Sequence, residues 1–322
     1  MSSRGWAAFA AMSVLFGIPY LFVKVAVDGG VPPALVAWGR VALAAVVLLA
    51  LAGRAGTLRS LRGRWRWLAA YTVVEIAVPF PMIAFGEQHV SSSLAAIVIA
   101  SVPLIIAVLA VRFDHAERPN RLRLTGLLIG FSGVVVLVGI DVAGQPDELL
   151  GTAAILVAAV GYAIGPLILK HRLLDLDQVA TMGASLGLAT VFLTPLAILT
   201  APSATPSGDA LVSVAVLGLF CTALAFVVFS ALIREAGPSR ALVITYVNPV
   251  VAVALGVAVL GERPGPGAVA GLLLILAGSW LSTGGGLPPR VAAVFTPGVK
   301  DRGAPGPFDP SSAPPGEPPG HA

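Results

Sequence analysis

The chain has 322 residues, 57% of them hydrophobic and only 11% charged, and its mean hydropathy is +0.92. Soluble domains carry about 25% charged residues, so this composition excludes an ordinary soluble enzyme, and the net charge of +4 does not point to nucleic acid. The single cysteine, Cys221, excludes a disulfide framework and a cysteine-based metal site.

A bilayer core takes about 20 apolar residues per helix. Ten such runs follow one another: 5–27, 34–53, 67–86, 92–111, 122–140, 150–169, 179–200, 210–232, 241–260 and 266–283. The first is too long for a secretory signal core. Between the runs, positive charge alternates. Arg4 precedes the first span, and Arg54, Arg59, Arg62, Arg64 and Arg66 fill the second loop. Arg112, Arg118, Arg121, Arg123, Lys170, Arg172, Arg234 and Arg240 fall at later ends of the same parity, whereas the opposite loops hold only Arg263. The positive-inside rule then places both termini in the cytoplasm, and Trp6, Trp65, Trp67 and Trp280 fall at that same interface. The last segment, 284–322, is rich in Pro and Gly and cannot bury a core. It reads as a disordered cytoplasmic tail, either dispensable or a partner-binding Pro-rich segment.

The chain also repeats itself. Glu-Arg-Pro starts at Glu117 and again at Glu262, and Gly126 and Gly133 recur as Gly271 and Gly278, at one offset of about 145 residues. Gly17 and Pro19 echo Gly165 and Pro166, Lys24 echoes Lys170, and Pro103 echoes Pro249. Five spans per copy is an odd number, so the second copy must lie upside down, as in secondary transporters whose halves rock about a central site. The expected fold is an all-α integral membrane protein of ten transmembrane helices. The first repeat covers 1–141 and the second 150–283. Helix breaks are expected at Pro19, Pro103, Pro166 and Pro249, since irregular backbone survives in lipid only where it lines a cavity.

Three charges fall inside spans, and such groups mark function by default. Lys24 lies about one turn from the outer end of the first span. It fits either a lysine snorkelling to the headgroups or a cation in an outer vestibule that holds a substrate carboxylate. Arg40 lies roughly 10 Å below the outer surface and Glu75 near the middle of the third span. One reading is a structural ion pair between spans two and three. The other makes Arg40 a carboxylate site and Glu75 a proton-coupling or amine site. Tyr20 shares a helix face with Lys24, and Tyr71 with Glu75. Tyr162 precedes the break in the sixth span, and Tyr246 and Asn248 flank that in the ninth. These four tyrosines and Asn248 are candidate substrate ligands. They are equally consistent with buried rings and with an amide satisfying carbonyls freed by Pro249. The glycines of spans five and ten read as close packing, with a homodimer through span ten as a further reading. The Glu-Arg-Pro triplets read as staples between helix ends, with a gating salt bridge as the alternative.

These features resemble the EamA family of the drug/metabolite transporter superfamily. The resemblance rests on FGIPYLFVK, the Arg40 region, SSSLAAIVIASVPLIIAVLA followed by HAERP, and GLLIGFSGVVVLVG. In the second half it rests on GPSRALVITYVNPVVAVALGVAVLGERP and GLLLILAG. It leaves out only the tail. It implies a permease of the inner (plasma) membrane that moves a small metabolite, an amino acid or related zwitterion, outward by alternating access. No cofactor, catalytic residue, metal site or ATP site is expected, and energy would come from an ion gradient or the substrate's own. A non-transporting membrane scaffold or sensor is the alternative. A membrane-embedded lipid-modifying enzyme fits less well, because His89, His115 and His171 are scattered and no catalytic motif appears.

Overall fold

The structure is a computed structural model that describes residues 3–113, 121–236 and 244–282. The first Glu-Arg-Pro triplet, Arg240 and the tail 284–322 lie outside the described residues. Every regular element among those described is helical. The first span is α1 (Ser3–Gly17) and α2 (Pro19–Asp28), and the second is α3 (Pro33–Arg54). The third is α4 (Trp65–Thr72), a π-helical turn at Val73–Ala77, and α5 (Pro79–Gly86). α6 (Ser92–Ile99) and α7 (Val102–Phe113) follow, then α8 (Arg121–Leu137) and α9 (Pro146–Ile168), each ending in a π turn, at Val138–Val142 and Leu169–Leu173. α10 (Gln178–Leu199) leads to α11 (Gly208–Gly218), a π turn at Leu219–Leu224 and α12 (Ala225–Ala236). α13 (Ile244–Leu260) and α14 (Pro266–Ser282) complete the bundle.

Eight of these segments are long and apolar enough to cross a membrane, and α13 and α14 are shorter apolar helices. The reason for helices is elementary: lipid offers no hydrogen bonds, so each backbone group must be satisfied within its own segment. The outer surface agrees. Val46, Leu128, Val135, Leu199 and Leu273 are all more than 60% exposed, a pattern of bare apolar side chains that suits lipid and not water. The two ends of the bundle differ in charge. One end carries Arg54 to Arg66, Arg121, Lys170 and Arg172, and the other carries Asp28, Glu87, Asp141, Asp147, Glu148 and Glu262. They are called the basic and acidic ends below.

Pro19 and Pro103 fall at interruptions, between α1 and α2 and between α6 and α7. Pro166 lies inside α9, three residues before its π turn, and α13 runs through Pro249 without interruption. A proline removes one backbone bond, and a helix packed on several sides carries that loss without breaking.

The closest helix pair is α8 with α14. A Cβ built on Gly133 would lie 2.8 Å from the Gly271 carbonyl, one on Gly126 2.8 Å from the Gly278 carbonyl, and one on Gly278 would strike the Gly130 backbone. The glycine faces of spans five and ten are therefore covered by each other within one chain. The other main pairs are α3 with α10, α5 with α9, α2 with α11, and α6 with α13.

Replacing Gly278 by Leu forces the α8 and α14 backbones apart and should cost about 1–3 kcal/mol, read as a lower unfolding midpoint in detergent. Gly139→Ala, with open space beside it, should leave the midpoint unchanged or raise it. Equal midpoints for the Gly278 variant and wild type would contradict this packing.

Candidate functional site

The π turn of the third span places Glu75. Val78 N–H bonds the Val73 carbonyl at 3.0 Å, five residues back, and Pro79 follows with no N–H to give. A π turn rotates the side chains after it relative to an α-helix and is often found at functional sites. The carboxylate of Glu75 is turned onto Gly165 of α9, where a Cβ would collide with its Oε2. That Oε2 atom is buried and has no hydrogen-bond partner. Tyr71, one turn earlier and buried, lies within electrostatic reach of Glu75 and of Tyr162 on α9.

The π turn of the eighth span does the complementary work for Arg40. Thr222, inside that turn, donates its hydroxyl to the Leu217 carbonyl at 2.8 Å, and Thr222 Oγ1 accepts in turn from Arg40 Nε at 2.8 Å. The Arg40 guanidinium also lies over the Phe80 ring, 4.1 Å from its centroid, a favourable cation–π placement. Arg40 acts electrostatically on Tyr20, Tyr162, Glu87 and Cys221. Tyr162 lies within electrostatic reach of both Arg40 and Glu75.

The two charges do not form an ion pair. The salt bridges among the described residues are Lys24–Asp28 at 3.0 Å and Arg64–Asp175 at 2.8 Å. The structure therefore brings Tyr20, Arg40, Tyr71, Glu75 and Tyr162 into one cluster and leaves its opposite charges apart. Lys24 lies beyond that cluster, towards the acidic end. Its ammonium donates to the Glu87 carbonyl at 2.9 Å as well as pairing with Asp28. Tyr246 belongs to the other end of α13. Its hydroxyl donates to the Ser279 carbonyl at 3.3 Å and its ring meets Trp280 edge-on. Asn248 lies beside α1, with its carbonyl 3.2 Å from a Cβ built on Gly17 and its buried Oδ1 unpartnered.

Two residues that hold Arg40 carry no signal in the span pattern. Thr222 and Phe80 sit in apolar runs, and only the acceptor and ring that Arg40 needs would have drawn attention to them. Glu87 lies one residue past the third span and looks like a loop residue, yet it is 0% exposed. Two further carboxylates at the acidic end staple helices. Glu262 accepts from the backbone N–H of Ser92 at 2.7 Å and Ser93 at 2.9 Å, and from the Ser93 hydroxyl. Asp141 accepts from Gly267 N–H at 3.2 Å and Ala268 N–H at 2.5 Å. Each carboxylate thus answers the orphan donors and positive dipole of a helix start, α6 and α14 respectively.

Buried charge, π turns and a lipid-facing exterior define a multi-pass membrane protein with a polar centre. The chain belongs to the EamA-like transporter family, which matches it over residues 3–139 and 149–284. It is 31% identical over 261 residues to the uncharacterized inner membrane transporter YedA of Escherichia coli K12, covering 79% of this chain and 82% of that one. It is 28% identical over 294 residues to a probable terminal-alkyne amino-acid exporter of Streptantibioticus cattleyicolor, covering 87% of this chain and 93% of the relative. One solved crystal structure shares the fold at a TM-score of 0.63 and 23% identity, covering 88% of this chain and 98% of that one. The protein is accordingly a multi-pass inner-membrane transporter.

Glu262→Ala removes the acceptor of the Ser92 and Ser93 N–H groups, leaving the Ser91 side chain as the N-cap of α6, and should lower stability by about 1–2 kcal/mol, seen as a lower thermal midpoint. Ser93→Ala, which keeps both backbone bonds, should lower it less. The reverse order would contradict the staple.

Proposed function

We propose that the chain is a secondary carrier for a small zwitterion, an amino acid or close relative, and that it works as an exporter by alternating access. Arg40 receives the carboxylate and Glu75 the ammonium. Tyr20, Tyr71 and Tyr162 line the space between them. The observation that carries this reading is that Arg40 and Glu75 share one polar cluster without pairing. Ionisable groups left without an ionic partner at membrane depth are costly, and a ligand bearing both an ammonium and a carboxylate offsets that cost. The amino-acid exporter among the relatives points to the same substrate class.

The helix pairings support two halves of five helices that exchange with one another, and the alternation of positive charge along the loops supports cytoplasmic termini. Pairing the second span with the seventh, the fourth with the ninth and the fifth with the tenth maps onto itself when the halves are exchanged. Pairing the third with the sixth becomes pairing the eighth with the first. Such a frame suits rocking about a central site. Within it the chemistry is one-sided. At an offset of 146 residues, Arg40 matches Leu186 and Glu75 matches Cys221. One asymmetric ligand would be met by one asymmetric pair.

Counterflow in proteoliposomes with pooled zwitterionic amino acids tests this. Wild type should exchange labelled tracer. Arg40→Ala and Glu75→Gln should lose at least about tenfold, since each removes a charge-assisted contact worth about 1.5–3 kcal/mol. Full exchange by both folded variants would overturn the site.

A further inference from the structure

The central pair leaves one buried charge unused. Glu87 caps the end of α5, its N–H bonded to the Ile83 carbonyl at 2.9 Å. Its side chain is wholly buried, and neither carboxylate oxygen has a hydrogen-bond partner. The nearest cation does not serve it. Lys24 spends its ammonium on the backbone carbonyl of Glu87 and on Asp28. An ionised carboxylate in that position would be desolvated and unmatched, which proteins avoid by keeping the group neutral.

The charged and titratable groups around Glu87 can be named element by element. α2 brings Tyr20, Lys24 and Asp28, and α3 brings Arg40. The turn before α14 brings Glu262, already committed to the start of α6. α9 packs beside Gly86 through Gly151 and Ile155, and its first turn carries Asp147 and Glu148. His89 follows two residues on, with Nδ1 2.9 Å from the Phe85 carbonyl. A carbonyl can only accept, so that nitrogen carries a proton. Burial pushes the Glu87 carboxyl well above the usual carboxylate range. Lys24 pulls against that push, while Glu262 and Asp28 add to it. Tyr20 feels both Glu87 and Arg40, so this carboxylate adjoins the central cluster.

On the transport reading above, we propose that Glu87 is the coupling-proton site and that its protonation holds the acidic end of the bundle closed. Neutral Glu87 fits the closed packing seen here, with Lys24 held on the α5 carbonyl and on Asp28. Loss of the proton to water leaves a carboxylate that the closed packing cannot accommodate. The acidic end then opens, and Glu87 gains water and the Lys24 ammonium. The sign follows. Protonation favours the closed form, and rising pH through the shifted range favours the open one. In an exporter, a proton taken up outside after substrate release closes that side and resets the carrier.

Two measurements on the full chain in proteoliposomes test the proposal. The first is labelling by dicyclohexylcarbodiimide, which attacks protonated carboxyls in apolar surroundings, read at Glu87 by peptide mass spectrometry across pH. Labelling should persist well above the ordinary carboxyl value of 4.5 and fall as the pH rises further. Loss of labelling together with exposed carboxyls would overturn the proposal whatever the substrate. The second compares Glu87→Gln with wild type on pooled zwitterionic amino acids. The amide mimics the neutral acid, so counterflow should survive while accumulation driven by a pH gradient is lost. Gradient-driven accumulation at the wild-type level in this variant would refute the proton assignment and leave the carrier reading standing. Absence of counterflow from wild type would refute the carrier reading, with the labelling arm still deciding the protonation site.

Discussion

The bilayer core supplies neither hydrogen bonds nor counter-ions, and the rest of the structure follows from how the chain meets that constraint. Helices satisfy the backbone. Where the chain departs from α-helical geometry, the π turns place polar side chains. In the π turn at Leu219–Leu224 the Thr222 hydroxyl donates to the Leu217 carbonyl, and Thr222 holds Arg40. The π turn at Val73–Ala77 sets Glu75 against Gly165. Glu75 and Cys221 occupy corresponding positions in these two turns, so one backbone device serves both halves while the side chains differ.

Tight packing and polar chemistry divide the bundle between them. α8 and α14 meet glycine on glycine, close enough that backbones touch and no side chain intervenes. That pair is a rigid edge. Polar groups gather in spans one, two, three, six and eight, where Tyr20, Arg40, Glu75, Tyr162 and Thr222 converge. Carboxylates fasten the acidic end, with Glu262 on α6 and Asp141 on α14, and the Arg64–Asp175 pair and Arg172 over Trp67 fasten the basic end. On the alternating-access reading proposed above, a carrier that opens its two ends in turn needs a fastening at each.

Much of this was legible in the residues, and the rest was hidden for physical reasons. Hydropathy locates the spans because lipid imposes their length. The second Glu-Arg-Pro triplet suggests a staple, and Glu262 is one. Counting residues along a helix gives depth, and puts Arg40 and Glu75 within a turn or two of each other. It cannot give azimuth across a π turn, so whether they pair was not legible. Glu87 escaped notice because apolar counting stops at Gly86, whereas α2 and the turn before α14 cover the next residue. Tyr246 lies by Trp280 and not in the cluster, and α13 continues through Pro249, because neighbouring helices decide both and neighbours are not written in a local pattern.

The central claim is that the space beside Arg40 is where the substrate binds. Cys221 is the only cysteine, is buried, and lies within reach of the Arg40 charge, so its alkylation reports entry to that space without any substitution. The measurement is the rate of N-ethylmaleimide labelling of Cys221 in proteoliposomes, with and without saturating zwitterionic amino acids. A rate slowed by the amino acids and unchanged by equally concentrated neutral sugars is the predicted result. A rate indifferent to every amino acid offered would contradict the claim.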